Sequence, residues 1–245
     1  MKLSSFKSTV ICLLILAGQV FAQPPNKLGN DSSETVFNNA RIIVGDGTVI
    51  EQGSILVRDG TILGVGPASS LDNSDSAINH DVNGKTIIPA LVNTHAHLGW
   101  EAYGEWGSQY FTEENLTDHL YRHAYYGVGT IISTGSDKED VANRVKLEQL
   151  RGNIGGARYH QSPGMGSPGG GPNPRFTEDP DYWGVNPLAD PEQAVRTVRE
   201  LAGQGYGIAK IWVDSRDERR GAQVKLAPEI YRAVLNTASN YDMRI

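Results

Sequence analysis

Residues 87–98 read Ile87-Ile88-Pro89-Ala90-Leu91-Val92-Asn93-Thr94-His95-Ala96-His97-Leu98, an apolar run that delivers two histidines one residue apart. In a β-strand successive side chains point to opposite faces. His95 and His97 therefore project the same way, with imidazoles close enough to share one metal ion. The same alternation puts Asn93 with them and turns Val92, Thr94 and Ala96 to the other face. A His-x-His pair on an ordinary surface strand has this spacing too, so the reading rests on what flanks it.

Upstream, the texture is that of short β-runs. From Val36 to Val65 they are broken by Asp46-Gly47 and Asp59-Gly60, dipeptides suited to the left-handed positions of hairpin turns. Asn83-Gly84 is a third hairpin signal, just before Thr86 and the histidine stretch. Residues 35–85 are thus expected to form a small all-β sandwich module, incomplete in itself. Before it, residues 23–34 are polar, with Pro24, Pro25 and Gly29, and are expected to be a flexible lead-in. Residues 1–22 carry Lys2 and Lys7, an apolar core from Val10 to Leu16 and a small-residue end at Val20-Phe21-Ala22, the pattern of a secretory signal peptide. That apolar core is far short of the roughly 20 residues a spanning helix needs, so the protein is expected to be exported, periplasmic or secreted, with no membrane span after cleavage.

The only cysteine, Cys12, lies in that segment, so the remaining chain is held by packing rather than disulfides. Without the first 22 residues the chain keeps 20 basic and 28 acidic residues, a formal charge of −8, which makes nucleic acid a poor partner. At 245 residues and 39% hydrophobic content it is globular in composition. The triplets at Asn30 and Asn115 match a glycosylation sequon, a pattern common by chance.

Downstream of His97 the pattern alternates helix and strand. Thr112 can cap a helix with Leu116, Leu120, Ala124 and Val128 on one stripe, and Gly127 can end it. Gly129–Thr134 reads as a strand. Ser136 and Glu139 form a capping box for a helix bearing Val141, Val145 and Leu150, stopped by Gly152. Residues 157–162 suit a third strand, followed by a long Gly/Pro loop. Asp190-Pro191 opens a helix with Ala194, Val198, Leu201 and Ala202 inward. Residues 207–214 suit a fourth strand, 228–241 a helix, and 243–245 the start of a fifth strand. Such alternation predicts a parallel sheet with crossover helices.

The fourth strand, Gly207-Ile208-Ala209-Lys210-Ile211-Trp212-Val213-Asp214, carries the second chemical signal. Ala209, Ile211 and Val213 share the face suited to helices, and Lys210, Trp212 and Asp214 the other. A lysine enclosed without a partner tends to lose its proton. The neutral amine can add carbon dioxide and become a carbamate able to bridge two metal ions. An edge lysine, or an ion pair with Asp214, fits the same residues.

Ile88-Pro89-Ala90-Leu91-Val92-Asn93-Thr94-His95-Ala96-His97 resembles the signature that joins the β-domain to the first barrel strand in the metal-dependent amidohydrolase superfamily. Tyr126-Gly-Val-Gly-Thr130, Gly164-Met-Gly-Ser-Pro-Gly-Gly170 and Gly207–Asp214 are most similar to its imidazolonepropionase-like branch, and the likeness runs from about Val36 onward. It implies that 86–245 is part of a (β/α)8 barrel, strands one to four and the start of five. By the same resemblance His95 and His97 bind a divalent metal, zinc being the usual ion, and Lys210 is the carboxylated lysine bridging to a second. A small-molecule amide or dipeptide would be hydrolysed at its carbon–nitrogen bond.

The family also carries histidines on strands five and six and an aspartate on strand eight. Here the histidines are 80, 95, 97, 119, 123 and 160, with none beyond Lys210. Residues 86–245 number 160, against about 250 for a full barrel, and Ala90 and Asn93 stand where the family usually has Gly and Asp. The sequence therefore reads as the N-terminal half of such an enzyme. The alternative is a non-catalytic fragment, or a subunit whose partner supplies the missing half-barrel; oligomeric state is open.

Three other signals are weaker. Gly164-Met-Gly-Ser-Pro-Gly169 matches a dinucleotide-binding spacing but runs into Gly170-Gly-Pro-Asn-Pro174 rather than a helix, so a substrate loop is expected. His119 and His123, four apart, are expected on a solvated helix face. His160, near the end of strand three, is a candidate spare ligand or substrate contact.

Overall fold

The computed structural model describes residues 34–171, 185–215 and 224–245. The expected signal peptide, the lead-in up to residue 33 and residues 172–184 of the Gly/Pro loop lie outside them. Glu34, assigned to the lead-in, instead opens the first strand and is buried.

The N-terminal module is a five-stranded sheet, one layer of the expected sandwich. Its strands are β1 (Glu34–Ile43), β2 (Val49–Arg58), β3 (Thr61–Gly66), β4 (Ile78–Asp81) and β5 (Thr86–Ile87), in the order β3-β2-β1-β4, with β5 also on β1. The first two turn signals act as predicted. Asp46-Gly47 joins antiparallel β1 and β2, and Asp59-Gly60, with φ of +50° and +72°, joins β2 and β3. Asn83-Gly84 also takes positive φ but makes no hairpin, because β4 and β5 both run parallel to β1. It is a jog opposite a bulge of β1. There Asn39 has φ +56° and its carbonyl accepts the Gly84 amide at 2.7 Å.

Beyond it lies a parallel sheet with crossover helices. β6 (Leu91–Ala96) pairs with β9 (Val128–Thr134), and β9 with β10 (Arg158–Ser162); a small hairpin, β7 (Glu101–Ala102) and β8 (Glu105–Trp106), follows β6. After Pro163, β10 resumes as β11 (Gly164–Gly166), flanked by β12 (Asn186–Pro187) and β13 (Lys210–Ile211). The Pro163 carbonyl accepts the Lys210 amide at 2.9 Å, so the sheet continues across the break. Ile208 pairs in parallel with Arg244, where a fifth strand was predicted to begin. The fourth strand is shorter than expected: of 207–214, only Lys210–Ile211 and the Ile208 bridge are ladder residues. Gly164–Gly166, expected within a loop, is a buried strand.

Helices α1 (Glu113–Tyr125), α2 (Glu139–Leu150), α3 (Pro191–Gly203) and α4 (Pro228–Ser239) connect these strands. Thr112 Oγ1 accepts the Asn115 amide at the start of α1, and the Asp190 carboxylate accepts the Gln193 amide at the start of α3, the caps their sequences predict. Leu116 and Leu120 of α1 are fully buried, whereas Ala124 and Leu150 are exposed rather than inward. One core gathers Leu98, Trp100, Leu116, Leu120, Ile131 and Val145 under α1 and α2. A second gathers Met165, Val198, Leu201, Ala209 and Val234 under α3 and α4. Ala209 is buried there, with Ile211 and Val213 against the same cluster, as alternation predicts. The whole is a module followed by a partial (β/α)8 barrel. Among the described residues β6 pairs only with β9 in this sheet, and Ile88, Leu91 and Val92 beside that open edge are 52–59% exposed.

Candidate functional site

His95 and His97 emerge where β6 ends. Their rings stand edge to face with centroids 5.5 Å apart, and Ala96 between them packs into the α1/α2 core. The shared face predicted from the His-x-His spacing is therefore present. Asn93 does not join it by simple alternation. It lies opposite Ile131 while Ala96 lies opposite Ser133, three residues against two, so the strand bulges between them. The Asn93 side chain turns back to accept the His95 amide at 3.1 Å.

His97 is half-buried, and its Nδ1 is 2.8 Å from Ser136 Oγ. Burial, then His95, then Lys210 push its pKa down to about 4. The neutral ring is the form that coordinates metal, and with Nδ1 engaged by Ser136, Nε2 is the nitrogen through which it would do so. Lys210 is close enough for its charge to act on His97. Its ammonium lies 5.7 Å from the Trp212 ring, as expected for alternate residues of one face. Trp212 in turn lies across two glycines. A Cβ at Gly135, which has φ +74°, would fall 2.2 Å from the indole, and one at Gly164 2.4 Å from it. The two glycines that border the Lys210 face are thus required by close approach.

Sequence reasoning missed the residues behind the histidines. Ser136 was expected to cap α2, but the cap position is Lys138, which offers no side-chain cap, and Ser136 faces His97 instead. The Ser136 carbonyl accepts the Trp100 indole N–H at 2.8 Å. The next residue, Asp137, accepts hydrogen bonds from Ser133 Oγ and Tyr159 Oη. Burial raises its pKa to about 6, partly opposed by those two bonds. The available signal was position, since Thr134–Asp137 follows directly on the carboxyl end of β9, where parallel barrels gather their sites.

His119 is not on a solvated face. Its Nδ1 accepts the Gly99 amide and its Nε2 donates to the Glu101 carbonyl, pinning the loop after His97 to α1. His123 Nδ1 contacts the His119 carbonyl. The side-chain nitrogen of Asn115, one of the sequon asparagines, lies 3.0–3.1 Å from the carbonyl oxygens of Gly99, Glu101 and Tyr110 and shares its two protons among them. His160 is partly buried in β10, opposite Ile132. Among the described residues no three His, Cys, Asp or Glu side chains form a metal-binding group, and no helix is long and apolar enough to cross a membrane.

No protein-family model matches the chain, and no curated protein does. Solved structures do. A Xaa-Pro dipeptidase with bound methionine in its active site is similar over 86% of this chain and 55% of its own, with TM-score 0.68 and 21% identity. For an amidohydrolase the values are 86%, 55%, 0.65 and 19%. An A. niger ochratoxinase gives 86%, 54%, 0.63 and 18%. The chain shares the fold of the part of these solved structures that it covers, about half of their length.

Proposed function

We propose that this chain carries the first-metal side of an exported, divalent-metal hydrolase that cleaves carbon–nitrogen bonds in small amides or dipeptides. What supports the reading is that His95 and His97 stand together at the end of β6 and that the charge of Lys210 reaches His97, in a fold like that of solved amidohydrolases. The donors fit the group. Two imidazoles on one face, one of them kept neutral by burial, suit zinc or a neighbouring divalent ion. Lys210 Nζ, on adding carbon dioxide and releasing a proton, would contribute an anionic carbamate oxygen pair. A divalent ion held there lowers the pKa of bound water and polarises a carbonyl. Ser136 holds His97 in orientation, Trp212 covers the strand ends beside Lys210, and the histidine-loop clamp made by His119 keeps residues 99–101 in place.

A second reading is that the chain is a non-catalytic fragment, or a subunit whose site is completed by a partner. Metal content and turnover of the purified protein, measured on Xaa-Pro dipeptides and N-acyl amino acids, separate the two. The hydrolase reading expects bound metal and turnover, with turnover reduced on the order of 100-fold or more in Lys210→Ala and metal lost in His97→Ala. Full metal content and unchanged turnover in Lys210→Ala would overturn it. Bound metal without turnover until a partner is added supports the subunit reading.

A further inference from the structure

The last register pair of β6 and β9 is Ala96 with Ser133, and beyond it side-chain hydroxyls take over from the backbone ladder. Thr134 Oγ1 donates to the Ala96 carbonyl at 3.1 Å, in the peptide group before His97. In the peptide group after it, the Leu98 amide donates to Ser133 Oγ at 3.4 Å, the long end of the range for such a bond. Ser136 Oγ meets the His97 ring itself. One stretch, Ser133-Thr134-Gly135-Ser136, with all three hydroxyl side chains buried, thus meets His97 at its ring and at both flanking peptide groups.

We propose that Asp137 is a positioning residue for His97, acting through Ser133 as the anchor of this hydroxyl cradle. An ionised carboxylate carries no proton, so both hydroxyls that reach it must donate: Ser133 to one oxygen, Tyr159 of β10 to the other. Ser133 has then given its only proton, and its oxygen meets Leu98 as an acceptor. Tyr159 belongs to the core under α1 and α2, so the carboxylate also ties the cradle to that core. An amide at this position keeps the size but offers one accepting atom and one donating group. Ser133 and Tyr159, each at a different end of it, could no longer both donate.

The proposal rests on the reading of His97 as a metal ligand. It is tested by zinc titration calorimetry and urea unfolding of the parent and Asp137→Asn at pH 7.5. The expected result is zinc affinity weaker by about tenfold, the low end of what groups behind a metal ligand carry, with a midpoint at or above that of the parent. A residue that only fastened the fold would lower both together; that outcome, or unchanged affinity, would overturn the proposal. Should the parent take no zinc, the hydrolase reading fails, and amide hydrogen exchange in the metal-free protein decides for the cradle. Exchange at Leu98 about tenfold faster in Asp137→Asn, at an unlowered midpoint, supports it, and unchanged exchange overturns it. Should Asp137→Asn fail to fold, Ser133→Ala breaks the same link, and the same two measurements decide.

Discussion

The first sheet and the barrel segment each enclose a carboxylate, with opposite results. Glu34 on β1 is 5% exposed, yet its pKa falls to about 2, because the Ser74 amide and the Arg58 guanidinium both donate to it. Among the described residues Asp137 beyond β9 receives two neutral hydroxyls and no cation, and its pKa climbs to about 6. A carboxylate given a fixed countercharge is a structural fastener; one left without is poised to exchange a proton or take a ligand. Among the described residues the module fastens its carboxylate with a cation, and the barrel segment holds one that receives hydroxyls alone, beside the strand end from which the histidines emerge.

The largest blow to that contrast should come from Trp100→Ala. Trp100 is fully buried, stacks on Trp106 with centroids 5.9 Å apart and holds the Ser136 carbonyl. Deletion of a buried tryptophan typically costs about 3–5 kcal/mol. Chemical unfolding monitored through the barrel helices should show that loss, and a loss below about 1 kcal/mol would mean that Trp100 is not the keystone between core and site.

The carboxylates themselves come next. Asp137 has a folded pKa above its unfolded 3.8, so its contribution to stability is fully present below about 3.8 and is lost as pH rises through about 6. Asp137→Asn should therefore be more stable than the parent above pH 6, by at most about 3 kcal/mol, and the gain should vanish near pH 4. Glu34 behaves in reverse: its folded pKa lies below the unfolded 4.5, so its contribution is present above 4.5 and fades as pH falls towards 2. Glu34→Gln should lose stability at neutral pH and converge with the parent near pH 2. Urea midpoints from pH 2.5 to 8 would record both trends, and parallel pH profiles for the two variants would erase the distinction.

Legibility in the sequence followed the range of the forces involved. The module, the parallel sheet and the four described helices were readable because turn dipeptides, caps and apolar stripes act locally. His95, His97 and Lys210 were named from strand alternation and family likeness. What escaped depends on pairing between distant strands. The bulge that removes Asn93 from the histidine face exists only in register with Ile131 and Ser133. The Asn83-Gly84 turn looks like any hairpin until both its flanks are found parallel to β1. Ser136 satisfied a local capping rule, but a tertiary partner, His97, outcompeted the helix end for its hydroxyl.

A smaller effect is expected at Gly135. Its positive φ, together with the Trp212 ring 2.2 Å from where an added methyl would sit, makes Gly135→Ala doubly unfavourable, by about 2 kcal/mol. Because the displaced group is Trp212, quenching of tryptophan fluorescence by acrylamide should increase as well. An unchanged spectrum and stability would mean that the indole does not lie over the strand ends.

Ser136→Ala sharpens the comparison at the least cost in stability, since a single hydroxyl is removed from a buried position and the helix cap is not involved. The His97 ring would lose the contact that engages Nδ1, while its burial and its neighbours His95 and Lys210 would remain. Groups that orient a metal-binding histidine through its second nitrogen typically carry about 10- to 100-fold in metal affinity. Zinc titration of the parent and Ser136→Ala should therefore differ by about tenfold, with unfolding midpoints nearly equal. Ser136→Thr, which keeps the hydroxyl, should restore part of the affinity. A change in stability without a change in affinity would assign Ser136 to the module's kind of polar group, a fastener.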